Sequence, residues 1–259
     1  MKGCVIGNSH VGAIKLAWEE LGGHCGPIDA MTFFAAKSLD MAALKPSGNS
    51  LTTDDPELRK ALIRSGGSME IDCARFDFIM VHGSYFGMSA LGSALSTHHP
   101  KALHGKLHIT TGCLSQIWED ELETTLAFKL LALVRSVSNM PVVMSVNPLV
   151  GSGLQDTGHS HWGFLDTIDR TVYDDCFVPA AQRLCRRLGV HYLGQPRETL
   201  DPARPYTLLQ YSTEPAGLNG KFANIKIDHA HMNGVYGKLV LRDLVALLAA
   251  VEPEMRASA

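Results

Sequence analysis

Four short apolar runs, set apart by helix-like stretches, restrict what this chain can fold into more than any other feature. They are Cys4-Val5-Ile6 before Gly7-Asn8-Ser9, Phe76 to Val81 before His82-Gly83-Ser84-Tyr85, Pro141 to Val146 before Asn147-Pro148, and Val190-His191-Tyr192-Leu193. Runs this short and this apolar, bounded by Gly or Pro, read as strands buried on both faces. A further strand fits within His24 to Phe34, where Pro27 blurs its boundaries. Helical patterns cover Val11 to Leu21, Glu57 to Ser65, Ser115 to Val137, Leu165 to Leu188 and Val235 to Ala250. Strands alternating with helices predict an α/β fold, a three-layer α/β/α open parallel sheet of flavodoxin-like kind. With no linker and no internal repeat, residues 1–259 read as a single domain.

Local signals refine this outline. Thr53, Asp54 or Asp55 is placed to cap the helix that starts near Glu57. Ser115 to Val137 is the longest helical pattern, opening with Glu119, Asp120, Glu121 and Glu123 and closing with Arg135, as the helix dipole favours. Pro179 predicts a kink or break in the next helix. Residues 35–56, 87–112 and 195–224 read as loops or short helices. Gly151 to Gly163 reads either as a lid over the strand ends, with Trp162 stacking on a substrate, or as a connection with Trp162 tucked into the core.

Composition removes several function classes. The net charge of -3 gives no electrostatic case for nucleic acid. The most apolar stretch, Leu239 to Val251, is too short for a membrane span and carries Arg242 and Asp243. A first strand beginning at about residue 3 leaves no room for a secretory leader. The six cysteines lack C-x-x-C spacing and are expected to be reduced, buried thiols of a cytoplasmic protein. Oligomeric state is not legible.

In open parallel sheets, sites form at the carboxyl ends of strands. Ser9, His82-Gly83 and Asn147 all stand at such ends. Ser9 sits at a strand-to-helix turn, where its hydroxyl is exposed and helix N–H groups stabilise negative charge. Serine in that place also serves as an ordinary helix cap. Gly7 and Gly12 have phosphate-loop spacing, but Ala13-Ile14 stand where such a loop needs Lys and Ser/Thr. A dinucleotide fingerprint would need glycine in place of Ser9. Near the other end, Asp228 and His231 are three apart, so one loop can present both. Asp228 would orient the imidazole, and His231 would act as base towards Ser9. The alternatives are a helix cap, or half a metal site in which His229 and His231 join His159 and His161.

The chain resembles the SGNH, or GDSL-like, hydrolases at both ends. Val5-Ile6-Gly7-Asn8-Ser9 looks like their first block, and Asp228-His229-Ala230-His231 before a closing helix looks like their last. The resemblance implies a Ser9, His231, Asp228 triad that cleaves or transfers a small acyl group on a hydroxyl-bearing, carbohydrate-like ester, without metal or cofactor. It weakens in the middle. Family members carry G-x-N-D after the third strand, whereas here Gly83-Ser84-Tyr85-Phe86 puts Tyr85 where Asn is expected. The family's second-block glycine has Gly48, beside Asn49, as its candidate. Gly83, Asn147 and Tyr85 are the other candidates for holding an oxyanion or substrate. The departure keeps open a second reading, a non-catalytic binding module with the same fold.

Overall fold

The computed structural model describes every residue except 38, 89–91, 102–103, 158–159, 218–219, 222–227 and 258–259. Among the described residues the strands in chain order are β1 (Lys2–Gly7), β2 (Ala30–Ala35), β3 (Lys45–Ser47), β4 (Ser50–Thr52), β5 (Ile71–Asp72), β6 (Phe78–His82), β7 (His98–His99), β8 (Leu107–His108), β9 (Val142–Ser145), β10 (His191–Leu193), β11 (Ala216–Gly217) and β12 (Gly220–Lys221). The helices are α1 (Val11–Glu20), α2 (Pro56–Gly66), α3 (Gly92–Thr97), α4 (Thr111–Glu123), α5 (Leu126–Val137), α6 (Arg170–Val172), α7 (Val178–Arg187) and α8 (Gly234–Ala257).

Five strands form a parallel central sheet in the order β2-β1-β6-β9-β10. The chain therefore moves to one side of β1 and then to the other, the flavodoxin-like order, and leaves a crevice where β1 and β6 end side by side. Register makes that rim level: Gly7 lies opposite Ala35 and His82, His82 opposite Ser145, and Ser145 opposite Leu193. Whatever follows each strand thus emerges on one edge.

The period-2 alternation of each strand feeds two cores. Cys4, Ile6, Ile79, Val81, Val142 and Met144 face α2, α4, α5 and α7 through residues such as Leu58, Trp118, Leu130 and Leu184. Val5, Phe78, Met80 and Val143 face α1 and α8 through Ile14, Trp18, Tyr236 and Leu244. On that second face α1 and α8 nearly touch, because a Cβ at Gly237 would lie 2.0 Å from the Ala13 carbonyl oxygen. Gly237→Ala should gain about 1 kcal/mol of helix propensity. Forcing two backbones apart costs about 1–3 kcal/mol or more, so the clash is expected to win. Urea unfolding should show a net loss of about 1–2 kcal/mol; a more stable variant would show that the helices separate freely.

The expected long helix is two helices. Thr125 divides them, its hydroxyl donating to the Leu122 carbonyl (2.6 Å) and accepting from the Phe128 N–H (3.3 Å). The acidic run consequently falls in the second half of α4, where the dipole disfavours it. Cross-helix pairing offsets this, since the buried Glu119 carboxylate receives Arg183 (2.9 Å) and Arg187 (3.1 Å) of α7. Pro179 does not break its helix either. It lies in helical backbone that runs on from Arg170, and the π turn over Tyr173–Phe177 immediately before it is the local departure from α geometry that accommodates the missing N–H. Asp55 is the cap of α2, accepting from the N–H groups of Glu57 and Leu58. Within residues 35–56 lies an unanticipated hairpin, β3–β4, which joins β5 in a small antiparallel sheet.

Among the described residues no helix is long and apolar enough to cross a membrane. All six cysteines are free thiols; four are buried, whereas Cys25 is half-buried and Cys113 is exposed, contrary to the expectation of burial.

Candidate active site

The turn after β1 is tight. The Asn8 carbonyl accepts the Val11 N–H (3.1 Å) and the Ser9 carbonyl the Gly12 N–H (3.0 Å), so α1 starts at once. The two glycines of the phosphate-loop spacing have a steric reason instead: a Cβ would meet the His82 carbonyl at Gly7 and the Gly217 backbone at Gly12. Ser9 does not serve as a helix cap. Its hydroxyl lies 2.7 Å from Nε2 of His231.

From the far end of the chain, Asp228 holds that imidazole by one contact and its own loop by two more. Its Oδ1 accepts the N–H groups of Ala230 (2.8 Å) and His231 (3.3 Å), and its Oδ2 lies 2.8 Å from His231 Nδ1. The three-residue spacing thus closes a small ring that points the imidazole at Ser9. Burial alone would raise the Asp228 pKa, but the His231 hydrogen bond and charge and the two backbone N–H groups together hold it below the usual carboxylate range. Asp228 is therefore ionised at neutral pH and fixes the His231 tautomer with Nδ1 protonated. The helix-cap alternative goes to another residue: Asn233 Oδ1 accepts the Tyr236 N–H (3.1 Å) at the start of α8.

The remaining candidates divide. Gly83 is at the rim, with φ +70°, followed by Ser84 and Tyr85 at φ +52° and +68°. Two successive non-glycine residues in that region are strained, a condition common at functional sites. A Cβ on Gly83 would fall 2.9 Å from Asn8 Oδ1, 3.2 Å from Asn147 Oδ1 and 3.2 Å from the His10 Cβ. Gly83 is thus the point where β1, β6 and β9 bring their terminal residues together. Its N–H, however, donates to the Ser145 carbonyl (3.0 Å), continuing the sheet ladder. The expectation that it serves as an oxyanion donor is corrected on that ground.

Asn147 is tied to the same turn by its N–H, which donates to the Phe86 carbonyl (2.8 Å). Among the described residues its buried side-chain oxygen has no hydrogen-bond partner, and its Nδ2 has only a 3.4 Å contact with the Pro148 carbonyl. Its amide is therefore barely used by the fold. Tyr85 is 39% exposed on the strained turn and is not a core residue. Gly48 is not at this end of the sheet. It turns the β3–β4 hairpin and, with Asn49, borders a groove shared with Ala74, Arg135 and Ser138, which precede the amino ends of β6 and β9. It is thus corrected as a contributor to the Ser9 crevice. The segment after Gly151 is 3-10 helix over Ser152–Thr157 and Ser160–Thr167, and Gly151 donates its N–H to the His229 carbonyl (2.7 Å). Trp162 is half-buried against the core beside Phe164. Of the suggested metal ligands, His159 lies outside the described residues, and no group of three or more His, Cys, Asp or Glu is placed for a metal among the described ones.

Two histidines lie beside Ser9 and His231: His82, which the sequence places at a strand end, and His10, which it does not single out. His82, fully buried at the end of β6, has Nδ1 2.9 Å from the Ser145 hydroxyl and a buried Nε2 with no partner among the described residues. Burial pushes its pKa down to about 3. His10 stacks on His231, with ring centroids 5.1 Å apart and planes at 26°. Burial first, then the charges of His231 and His82, push its pKa well down as well. The only sequence signal for His10 was an imidazole at a helix start where Ser, Thr, Asp or Asn is usual.

These depressed values carry a sign. Unfolding releases both rings to an ordinary pKa near 6.5, so the unfolded state binds the extra protons. Stability is full above pH ~6.5 and falls as pH drops below it. His82 alone should cost about 2 kcal/mol between pH 7.5 and pH 5, read from urea midpoints. A flat profile over that interval would mean that His82 is not held neutral.

No family model and no curated protein sequence matches the chain. Solved structures are similar in course. A carbohydrate esterase family 2 enzyme with a carbohydrate binding domain from Corynascus thermopiles (Myceliophthora fergusii) is 12% identical with TM-score 0.38, over 97% of this chain and 66% of that one. This chain thus spans just under two thirds of that protein's length. A protein of Lactobacillus plantarum is 15% identical with TM-score 0.42, over 96% of both chains. An acetyl xylan esterase of the rumen bacterium Butyrivibrio proteoclasticus is 11% identical with TM-score 0.41, over 96% of this chain and 63% of that one. At such identities and TM-scores these likenesses say nothing of chemistry, which rests on the geometry of this chain alone.

Proposed function

We propose that this chain is a serine ester hydrolase of the SGNH type, acting on a small acyl group carried by a hydroxyl-bearing substrate such as a sugar. The observation that carries the proposal is the unbroken hydrogen-bond chain from Asp228 through His231 to Ser9. In this reading His231 Nε2 takes the Ser9 proton as Oγ attacks the acyl carbonyl. The imidazolium, held by ionised Asp228, then protonates the departing alkoxide. Water, activated by the same imidazole, releases the acyl group from Ser9; a second hydroxyl in its place gives acyl transfer. The Ser9 N–H, which donates no hydrogen bond among the described residues, and the Asn147 amide are the proposed oxyanion donors. The chemistry calls for no cofactor.

A binding module with the same fold is the second reading, favoured by one observation: the Gly83 N–H is already spent on Ser145. Hydrolysis of p-nitrophenyl acetate separates the two. Turnover well above the buffer rate is expected of the hydrolase, and a rate equal to buffer leaves only the binding module.

A further inference from the structure

We propose that His10 is a positioning residue for His231, its neutral ring forming a face against which the general base is held. This rests on the hydrolase reading and adds to it a residue outside the triad. Asp228 and Ser9 grip His231 at Nδ1 and Nε2. Hydrogen bonds at these two nitrogens act along one axis of the imidazole. The stacked His10 ring adds a contact on its face, normal to that axis.

Three observations show that this ring is not serving the fold in another way. His10 stands at the cap position of α1 and makes no capping hydrogen bond, where a Ser or Asp would contribute about 1 kcal/mol. Its Nδ1 is buried with no hydrogen-bond partner among the described residues. Its backbone is ordinary helix, at φ -63° and ψ -22°, so no special conformation selects it. What remains is the face. A neutral aromatic face also suits the charge that His231 acquires in the transition state, because the ring quadrupole attracts a cation. A protonated His10 would instead repel it. The titratable groups facing His10 are His231, His82 and Asp228, and the two imidazoles favour its neutral form.

The test uses His10→Ala and His10→Phe, read by ester kinetics and by long-range proton–nitrogen NMR of the His231 ring. His10→Phe keeps a neutral face and is expected to retain kcat within about threefold, whereas His10→Ala should lose roughly tenfold or more in kcat with KM nearly unchanged. In all three proteins Asp228 should keep His231 protonated at Nδ1; the ring signals should be sharp in wild type and His10→Phe and broadened in His10→Ala, where the imidazole rocks. An Ala variant with wild-type kcat and an unchanged His231 signal overturns the proposal, as does equal loss in both variants. The NMR arm reads His231 without substrate. A wild type that orders His231 but cleaves no ester therefore defeats the hydrolase reading, and with it the catalytic role of His10. Wild-type turnover with an indifferent His10→Ala defeats only the positioning role.

Discussion

Ser9→Ala is expected to lower kcat for p-nitrophenyl acetate by roughly 10^4 to 10^6, with the fold intact. In the proposed reaction the hydroxyl is the attacking atom, and it is the partner of His231 Nε2. Removing it takes one oxygen from a crevice, not from the core, so urea midpoints should move little. His231→Ala should be about as damaging, because without its base the Ser9 hydroxyl is a weak nucleophile. Members of such a unit act together, so the Ser9→Ala/His231→Ala double variant should be no worse than either single one. Asp228→Asn is expected to be intermediate. It cannot hold the imidazole through a carboxylate, yet Asn can still accept from the Ala230 and His231 N–H groups that close the loop. Equal turnover in wild type and Ser9→Ala would remove the serine from the chemistry.

The second large effect is expected at Asn147. An oxyanion needs donors about 3 Å from where charge develops, and in the proposed mechanism the Ser9 N–H is one. Gly83 cannot supply the second because its N–H is bonded to Ser145. Asn147 stands over Gly83 with an amide the fold hardly uses. The assignment of its oxygen and nitrogen is interchangeable by a flip, so either end can face the crevice. Asn147→Ala should lower kcat by tens to hundreds of times, about 2–4 kcal/mol, with KM nearly unchanged. Tyr85→Phe should stay near wild type, since Tyr85 is the one exposed side chain of an otherwise buried turn. The reverse pattern would transfer the role to the Tyr85 phenol, and two unaffected variants would leave backbone donors alone.

The sheet was legible because each central strand is a short apolar run ending on turn residues, and burial on both faces leaves few other uses for such runs. Ser9, Asp228 and His231 were legible for a local reason: a serine just past the first strand, and a D-x-x-H spacing that closes its own hydrogen-bonded loop. Sequence periodicity could not show Thr125 interrupting a helix, since a cap between two helical patterns leaves the apolar period nearly unbroken. Glu119 looked like a dipole partner because its arginines lie 64 and 68 residues away on α7. Gly48 was misplaced because a glycine beside an asparagine marks a hairpin as readily as a site. His10 was passed over because stacking on His231 depends on two chain ends meeting, and adjacency to Ser9 does not by itself reveal it.

The central claim is that Ser9 is a nucleophile activated by His231, and covalent labelling tests it most directly. A fluorophosphonate probe should add one phosphonyl group, located by peptide mass mapping on Ser9. Labelling should be strongly slowed in His231→Ala and absent in Ser9→Ala. A folded wild-type protein that takes up no label, or takes it up elsewhere than Ser9, would contradict the account.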